Sequence, residues 1–539
     1  MLVDEDTTKE EKDAMQEFIA RHKDGIDGTL SGFDRLVFRG TLRSIAYVGG
    51  MQSYLNRNGV LLKDFGQHVE QVSERVKRAS VSGAEGSGRP VVYLPSSSTS
   101  KEQEARRIAS EDDLREGLIA ILKCVEPCQT FEIYRNREEK KLELQARERK
   151  CLFLYHYWLD PAFGFMSARI QTWFPFTIQV CLNGREWLAR QMDLQGIKYL
   201  AADNCFPWIE QWDRAQQLMD EQLKTEWPKV LDSIAHQLNP VHAAIFERFP
   251  VRYYWSTYQH EWAIDVVFRE PDELSRLYPR LIHHGITTFG SGDVLRYLGK
   301  PMPLSGNVPR NFRGDVVSTL KERSEGVRIK HAVNGNSVKL YDKAFTQMGA
   351  ALRAETTLQN TRDLRAYRPK EGDPDGPRSW RPMRRGIADL HRRAELSKKA
   401  TERYLDAYAS IDDSTTLEQI IAALATPAPW RGRRVRPLRV FADDHPLLAA
   451  VARGEFALTG FRNRDLQHLL FSSPTRSHQE ARRRSAWVSR QLRLLRAHGL
   501  ITKINGTHRY QLTDTGRTVT TAILTALNAT IRQLTPLAA

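Results

Sequence analysis

Between Arg482 and Leu512 the chain carries a segment with few ways to fold. Val488, Leu492 and Leu495 recur at helical spacing, while Arg483, Ser489, Arg490, Arg493 and Arg496 occupy the other face of the same helix. Gly499 follows where a left-handed helix end is expected, a conformation that costs a residue without a Cβ nothing. Ile501 to Leu512 then alternates around Asn505-Gly506, the pair that best satisfies a two-residue hairpin turn. Upstream, Arg462 to Leu470 reads as a shorter helix, and a closing helix follows Gly516. The predicted order is helix, helix, hairpin, helix.

That order, with Leu-Arg-Leu-Leu-Arg-Ala-His-Gly-Leu-Ile at its centre, resembles the winged helix-turn-helix of MarR-like regulators over roughly residues 440–535. The resemblance implies docking on double-stranded DNA, with Arg483, Arg484, Ser489, Arg490, Arg493 and Arg496 on the helix and Lys503, His508 and Arg509 on the wing. A structural, protein-contacting arm is the alternative. Charge favours DNA: Arg431 to Arg517 holds 18 Lys and Arg against six Asp and Glu, about +12 of the chain's formal +15. Each phosphate so neutralised releases a counterion, which makes binding strong and salt-sensitive.

With 539 residues, 41% hydrophobic and 27% charged, the chain has room for two to four globular domains. The start, Met-Leu-Val-Asp-Glu-Asp, lacks the basic and apolar blocks of a signal peptide, and no apolar run reaches membrane-spanning length. A cytoplasmic protein without a membrane partner is expected. Five cysteines at no zinc-ligand spacing are expected to be reduced thiols.

The expected fold class is α+β: a multi-strand antiparallel body with inserted helices, then a helical segment, then a C-terminal winged helix. The boundaries read as 1–110 for an N-terminal α+β segment, 111–368 for the central body, 369–430 for a helical linker and 431–539 for the winged helix. Within the first, Gly32 to Gly40 reads as a short strand with Asp34 near its start, and 80–105 as an exposed loop around one strand. A helix is predicted near 111–123, strands between about 130 and 180, a helix capped by Asn183 and a strand over 252–268. Gly326–Val333, Ser337–Lys343 and Ala351–Leu358 are short alternating runs separated by turns and predict an antiparallel meander. Residues 427–434 read as a linker, and no internal repeat appears.

Strand alternation collects chemistry on that meander. Arg328 and Lys330, then Lys339, Tyr341 and Lys343, then Arg353, Glu355 and Thr357 form three polar sets that share one sheet face if the strands pair in order. Glu261 and Asp265 fall on one face of the 252–268 strand. Phosphodiester chemistry needs this mixture: carboxylates to hold a divalent ion, cations to neutralise phosphate, and a nucleophile in line with the leaving oxygen. Glu261, Asp265 and Glu355 are the candidate ligands for Mg²⁺ or Mn²⁺, and Tyr341, Lys339 and Lys343 the candidate catalytic residues. Lys339-x-Tyr341-Asp342-Lys343, followed by Leu352-Arg353-x-Glu355, resembles a strand pair of the rolling-circle replication initiators of plasmids and filamentous phages, which implies metal-dependent nicking by a tyrosine. The chain departs from the related relaxases in lacking a His-hydrophobe-His triplet; His283 and His284 are adjacent in a predicted helix. Cross-strand Lys–Glu pairs on a solvated sheet are the plain alternative, as is a buried His331 and a core role for Trp173-Phe174-Pro175-Phe176, whose aromatics could otherwise stack bases.

Three readings follow: a DNA-processing enzyme of a mobile or extrachromosomal element, whose winged helix docks on a duplex that the body nicks; a MarR-like regulator without catalysis; and an RNA or single-strand binder using the sheet face. Homodimerisation is left open.

Overall fold

Leu30, Phe33, Leu36 and Phe38 are buried along residues 26–41, and the segment forms a single strand of 16 residues, β1 (Ile26–Thr41), longer than the Gly32–Gly40 strand its alternation predicts. The computed structural model describes residues 17–528 except 300–314, 324–325, 346–348, 363, 371, 374, 410–415, 454–455, 457–459, 476 and 505–506. β1 lies at the middle of an 11-stranded sheet. The other strands are β2 (Val91–Leu94), β3 (Gly117–Asn136), β4 (Lys141–Asp160), β5 (Gly164–Gln171), β6 (Ile178–Asn183), β9 (Tyr254–Phe268), β10 (Val317–Arg323), β11 (Gly326–Val333), β12 (Asn336–Phe345) and β13 (Gly349–Leu358). A separate hairpin joins β7 (Tyr199–Ala202) to β8 (Cys205–Ile209).

The sheet order is β10-β11-β12-β13-β9-β1-β6-β5-β4-β3-β2, antiparallel throughout except for β2 on β3. Two halves of like topology are visible in it. Each begins with a long strand, passes through helices (Val48–Arg57 and Phe65–Gly86; Pro271–Thr287 and Ser291–Tyr297) and returns as a four-strand meander whose last strand pairs with the first. The halves meet where β1 and β9 run antiparallel. The expected N-terminal segment is thus part of the same sheet as the central body.

Helices Pro271–Thr287 and Leu390–Asp406 bury one face of the second half against Ile264, Leu340, Leu352 and Ala354. On the other face, helices Gly184–Gln195 and Trp212–Glu221 cross β1. A Cβ at Gly28 would fall 2.1 Å from the Trp212 ring, so β1 needs glycine where that helix lies across it. Near the C terminus, helices Leu417–Leu424, His445–Val451, Asn463–Leu470, His478–Ala497 and Asp514–Asn528 and the hairpin Ile501–Lys503/Tyr510–Leu512 enclose a hydrophobic cluster of their own, with Leu448, Phe461, Leu466, Val488, Leu492 and Ile523 at its centre.

The meander, the Asn183-capped helix and the 252–268 strand lie where the sequence places them: Asn183 accepts from the backbone N–H groups of Arg185 and Glu186. Several expectations are corrected. Residues 117–123 are strand, not helix, because Ile121 packs into one core while Ile119, Ala120 and Leu122 pack into another; a strand covered on both faces loses its alternation. Residues 80–86 continue a helix, and Lys101–Glu111 forms another in what reads as loop. Cys128 and Cys151 are joined in a disulfide across β3 and β4, while Cys124, Cys181 and Cys205 are free. Residues 428–435 are a hairpin rather than an extended linker. Lys503 pairs with Tyr510 and the Ile504 N–H donates to the Arg509 carbonyl, while the expected Asn505-Gly506 turn lies outside the described residues. Phe174, Phe176 and His331 are fully buried. No helix among the described residues is long and apolar enough to cross a membrane.

Three buried histidines set an acid limit on this fold. Burial lowers His156 to about 4, His260 to about 3 and His331 to about 4, from an ordinary value of 6.5. The unfolded chain takes up protons on these rings below about pH 6.5 while the folded chain stays neutral, so their full stability is present above that value and is lost on acidification. Each pKa unit is worth about 1.4 kcal/mol per ring. Thermal denaturation should show a midpoint that falls from pH 6.5 to pH 4; a flat midpoint there would mean the rings are not held neutral.

Candidate functional site

The register of the second half aligns charged residues in rows across the sheet. Arg328 pairs with Tyr341, Tyr341 with Arg353 and Arg353 with Asp265; one step on, Lys330 pairs with Lys339, Lys339 with Glu355 and Glu355 with Ala263. The three polar sets of the meander therefore share one face, as strand alternation requires. β1 adds Asp34 by a different device. Phe33 pairs with Trp262 and Arg35 with Glu261, so Asp34 is the extra residue of a β-bulge, which turns its side chain onto the polar face.

Asp34, Glu261 and Glu355 bring one carboxylate oxygen each to within 4.8 Å of one another. Asp265, expected as a metal ligand, stands apart from this group. Its Oδ1 accepts from Arg353 Nε at 2.5 Å, and its Oδ2 accepts from Arg353 Nη2 and Arg185 Nη2, both at 2.9 Å, so two buried guanidiniums already occupy it. Arg353 also donates to Asp34 Oδ1 at 3.2 Å and to the Asn204 carbonyl at 2.5 Å. Asn204, at the tip of the β7–β8 hairpin, donates to both oxygens of Asp34 at 2.9 Å. Lys343 reaches the same tip, bonding Asp203 and Asn204 at 3.0 Å, and so anchors the hairpin.

Lys339 bonds Glu355 and lies 3.7 Å from Glu261, placing an ammonium against two of the three carboxylates. Burial alone would raise the Glu355 carboxyl, but Lys339 and Arg353 hold it below its ordinary value. Asp34 and Glu261 are raised by burial, with Glu355 adding to both. For Lys339, burial is outweighed by Glu355 and Glu261, which keep the ammonium charged. Tyr341 is pushed up to about 12 by burial and by Glu355, and its oxygen accepts from Arg328 Nη1 at 3.3 Å. The phenol stays protonated near neutral pH, with no base drawing on it.

This cluster can hold one small cation: the Lys339 ammonium now sits against Glu355 and Glu261, and a divalent ion could take one oxygen from each of the three carboxylates. Glu261 and Glu355 belong to the expected ligand set; Asp34 replaces Asp265. The clue to Asp34 was Asp34-Arg35 interrupting an apolar alternation, the pattern of a bulge. Arg185 and Asn204 carried no comparable signal, since their partners lie 80 and 170 residues away.

The C-terminal module presents its arginines unevenly. Arg483, Arg490 and Arg493 are exposed on helix His478–Ala497, with no carboxylate partner among the described residues. Lys503 and His508 are exposed on the hairpin. Arg484 is instead committed inward: it bonds the Ser473 carbonyl at 2.6 Å and Glu480 at 2.5 Å and lies over the Phe471 ring. Ser489 Oγ accepts from Asn463 at 2.9 Å, Arg509 donates to the Gly460 carbonyl at 3.1 Å, and Arg496 lies 4.9 Å over Trp430. Of the nine residues expected to touch DNA, these four help to hold the module together. No protein-family model, curated protein or solved structure matches the chain.

Removing the Asp265 charge tests the buried network. Asp265→Asn leaves Arg185 and Arg353 without their counterion and should cost about 3–5 kcal/mol in urea denaturation, the range for breaking a buried ion pair from one side. A loss below about 1 kcal/mol, the scale of a surface pair, would show that water reaches this network.

Proposed function

We propose that this protein binds double-stranded DNA through its C-terminal module, read as a winged helix in which His478–Ala497 is the recognition helix and residues 501–512 the wing. One observation carries the reading: Arg483, Arg490 and Arg493 stand exposed and without carboxylate partners on the helix face opposite the apolar core. A solvated surface helix commonly pairs its charges at i and i+4, whereas this face is cationic only and lies beside a hairpin that exposes Lys503. Such a surface is electrostatically complementary to the duplex backbone.

Binding of the full-length chain to a duplex library, followed across a salt titration, tests the reading. Arg490→Ala or Arg493→Ala should weaken binding to a selected sequence by about 1–3 kcal/mol where the guanidinium contacts a base edge. Lys503→Ala should weaken all sequences evenly. A chain that ignores duplexes in dilute buffer would refute the proposal.

A second reading, metal-dependent cleavage of a strand brought to the body, is favoured by the mutual approach of Asp34, Glu261 and Glu355. Those three residues would hold the ion, which supplies Lewis-acid charge for phosphodiester hydrolysis. Lys339 would then turn from the carboxylates toward phosphate. The protonated Tyr341 fits a water nucleophile better than a tyrosine one. On supercoiled plasmid with Mg²⁺ or Mn²⁺, nicking should vanish in Asp34→Asn and Glu355→Gln and persist in Tyr341→Phe. Binding without cleavage under either metal would leave a regulator without catalysis.

A further inference from the structure

Residues 427–436 read from sequence as a linker, Pro-Ala-Pro-Trp-Arg-Gly-Arg-Arg-Val-Arg. In the fold they make a tight hairpin: Trp430 pairs with Arg433, and Arg431 and Gly432 turn the chain with φ of 48° and 75°. Both central residues of such a turn need positive φ, a position that Asn or Gly ordinarily fills. Here an arginine takes the first, and its side chain is exposed at the tip.

The base of this hairpin is fastened to the module. Arg436 makes two bonds of 2.7 Å to the Asp444 carboxylate, and His498 bonds the Arg436 carbonyl at 3.0 Å. Trp430 is sandwiched into the contact, with the Arg496 guanidinium 4.9 Å from its ring centre. The hairpin is therefore held in place beside helix His478–Ala497 while its tip stays free.

Between hairpin and helix lies a groove of about 780 Å³, and among the described residues no acidic side chain lines it. Arg431, Arg433 and Arg434 face it from the hairpin, and Arg490, Arg493 and Arg496 from the helix. None of the six has a carboxylate partner among the described residues. Six guanidiniums held around one groove repel each other unless an anion lies between them, and their planar forks match phosphate oxygens in pairs. A volume on the scale of a ligand pocket, roughly 300–1,000 Å³, accommodates a short run of one backbone and not a whole duplex.

We infer that this groove, which Tyr510 of the 501–512 hairpin also lines, grips one sugar–phosphate strand of the DNA on which the helix docks, so that hairpin 428–435 is a second arm of the interface. The inference rests on the DNA-binding reading above and adds the residues that extend its footprint. The arm contributes affinity through phosphate contacts and is indifferent to sequence.

The test compares full-length wild type, Arg431→Ala/Arg433→Ala/Arg434→Ala, and the matching triple lysine variant on a selected and a random duplex across a salt titration. Each lost phosphate contact removes about 0.9 from the slope of log K against log salt. The alanine triple should lower the slope by about 2–3 and weaken both duplexes roughly ten- to a hundredfold at low salt, with its hydroxyl-radical footprint shortened at one flank. The lysine triple, which keeps the charge and controls for folding, should restore most of the slope. If wild type binds and the alanine triple matches it at every salt concentration, the second arm is overturned while the DNA-binding reading stands. If wild type itself fails to bind, both fall together.

Discussion

The antiparallel pairing of β1 with β9 is the constraint on which the polar face depends. It joins the two halves of the sheet and sets Asp34 beside Glu261, while the other edge of β9 pairs with β13 and sets Asp265 opposite Arg353. Charges buried at such a seam cost more than they return unless nearly every donor and acceptor is matched. The matching centres on Arg353, which bridges Asp265, Asp34 and the Asn204 carbonyl; Asp265 is shared with Arg185, whose Nε and Nη1 are buried without a hydrogen-bond partner. Helix Gly184–Gln195, the β7–β8 hairpin, β1, β9 and β13 are thereby tied to one point. The network positions the three carboxylates; Arg353 balances Asp34, and Lys339 balances Glu355 and Glu261.

Charge is used in opposite ways in the two parts of the chain. In the body, Asp34, Asp265, Glu355, Lys339 and Arg353 are paired with one another within the fold. Most of the formal +15 lies instead between Arg431 and Arg517, where arginines stand on a helix and a hairpin without internal counterions. A field left uncompensated in this way acts outward, and the proposed duplex contact is one that would relieve the repulsion. Arg436 and Arg484 show the contrast at close range, because each is paired with a carboxylate and serves packing rather than recognition.

Much of the architecture was legible in the residues. The meander β11–β13, the strand β9, the Asn183 cap and the arginine helix all follow from period and capping, which act over a few residues. Where both faces of a strand are covered, as at 117–123, alternation disappears and the segment imitates a helix. The like topology of the two halves is invisible to a search for repeats, because it lies in strand connection and not in side chains. At the site, Glu261, Glu355 and Lys339 could be placed on one face from alternation alone, given the order of pairing. Asp34 could not, since its direction is set by a bulge that exists only when β1 meets β9.

Local spacing in this polypeptide was sufficient to specify the meander, β9, the Asn183-capped helix and the arginine helix, and that its positive charge gathers near the carboxyl end, because propensity, capping and composition are properties of neighbours along the chain. Long-range association settled the rest. Which carboxylates meet, that Asp265 is taken by Arg185 and Arg353 while Asp34 joins the open cluster, and that residues 427–436 fold back as a hairpin beside the arginine helix all depend on contacts between residues far apart in sequence. Register and burial, which arise only on packing, decide which charge finds a partner and which is left for a ligand.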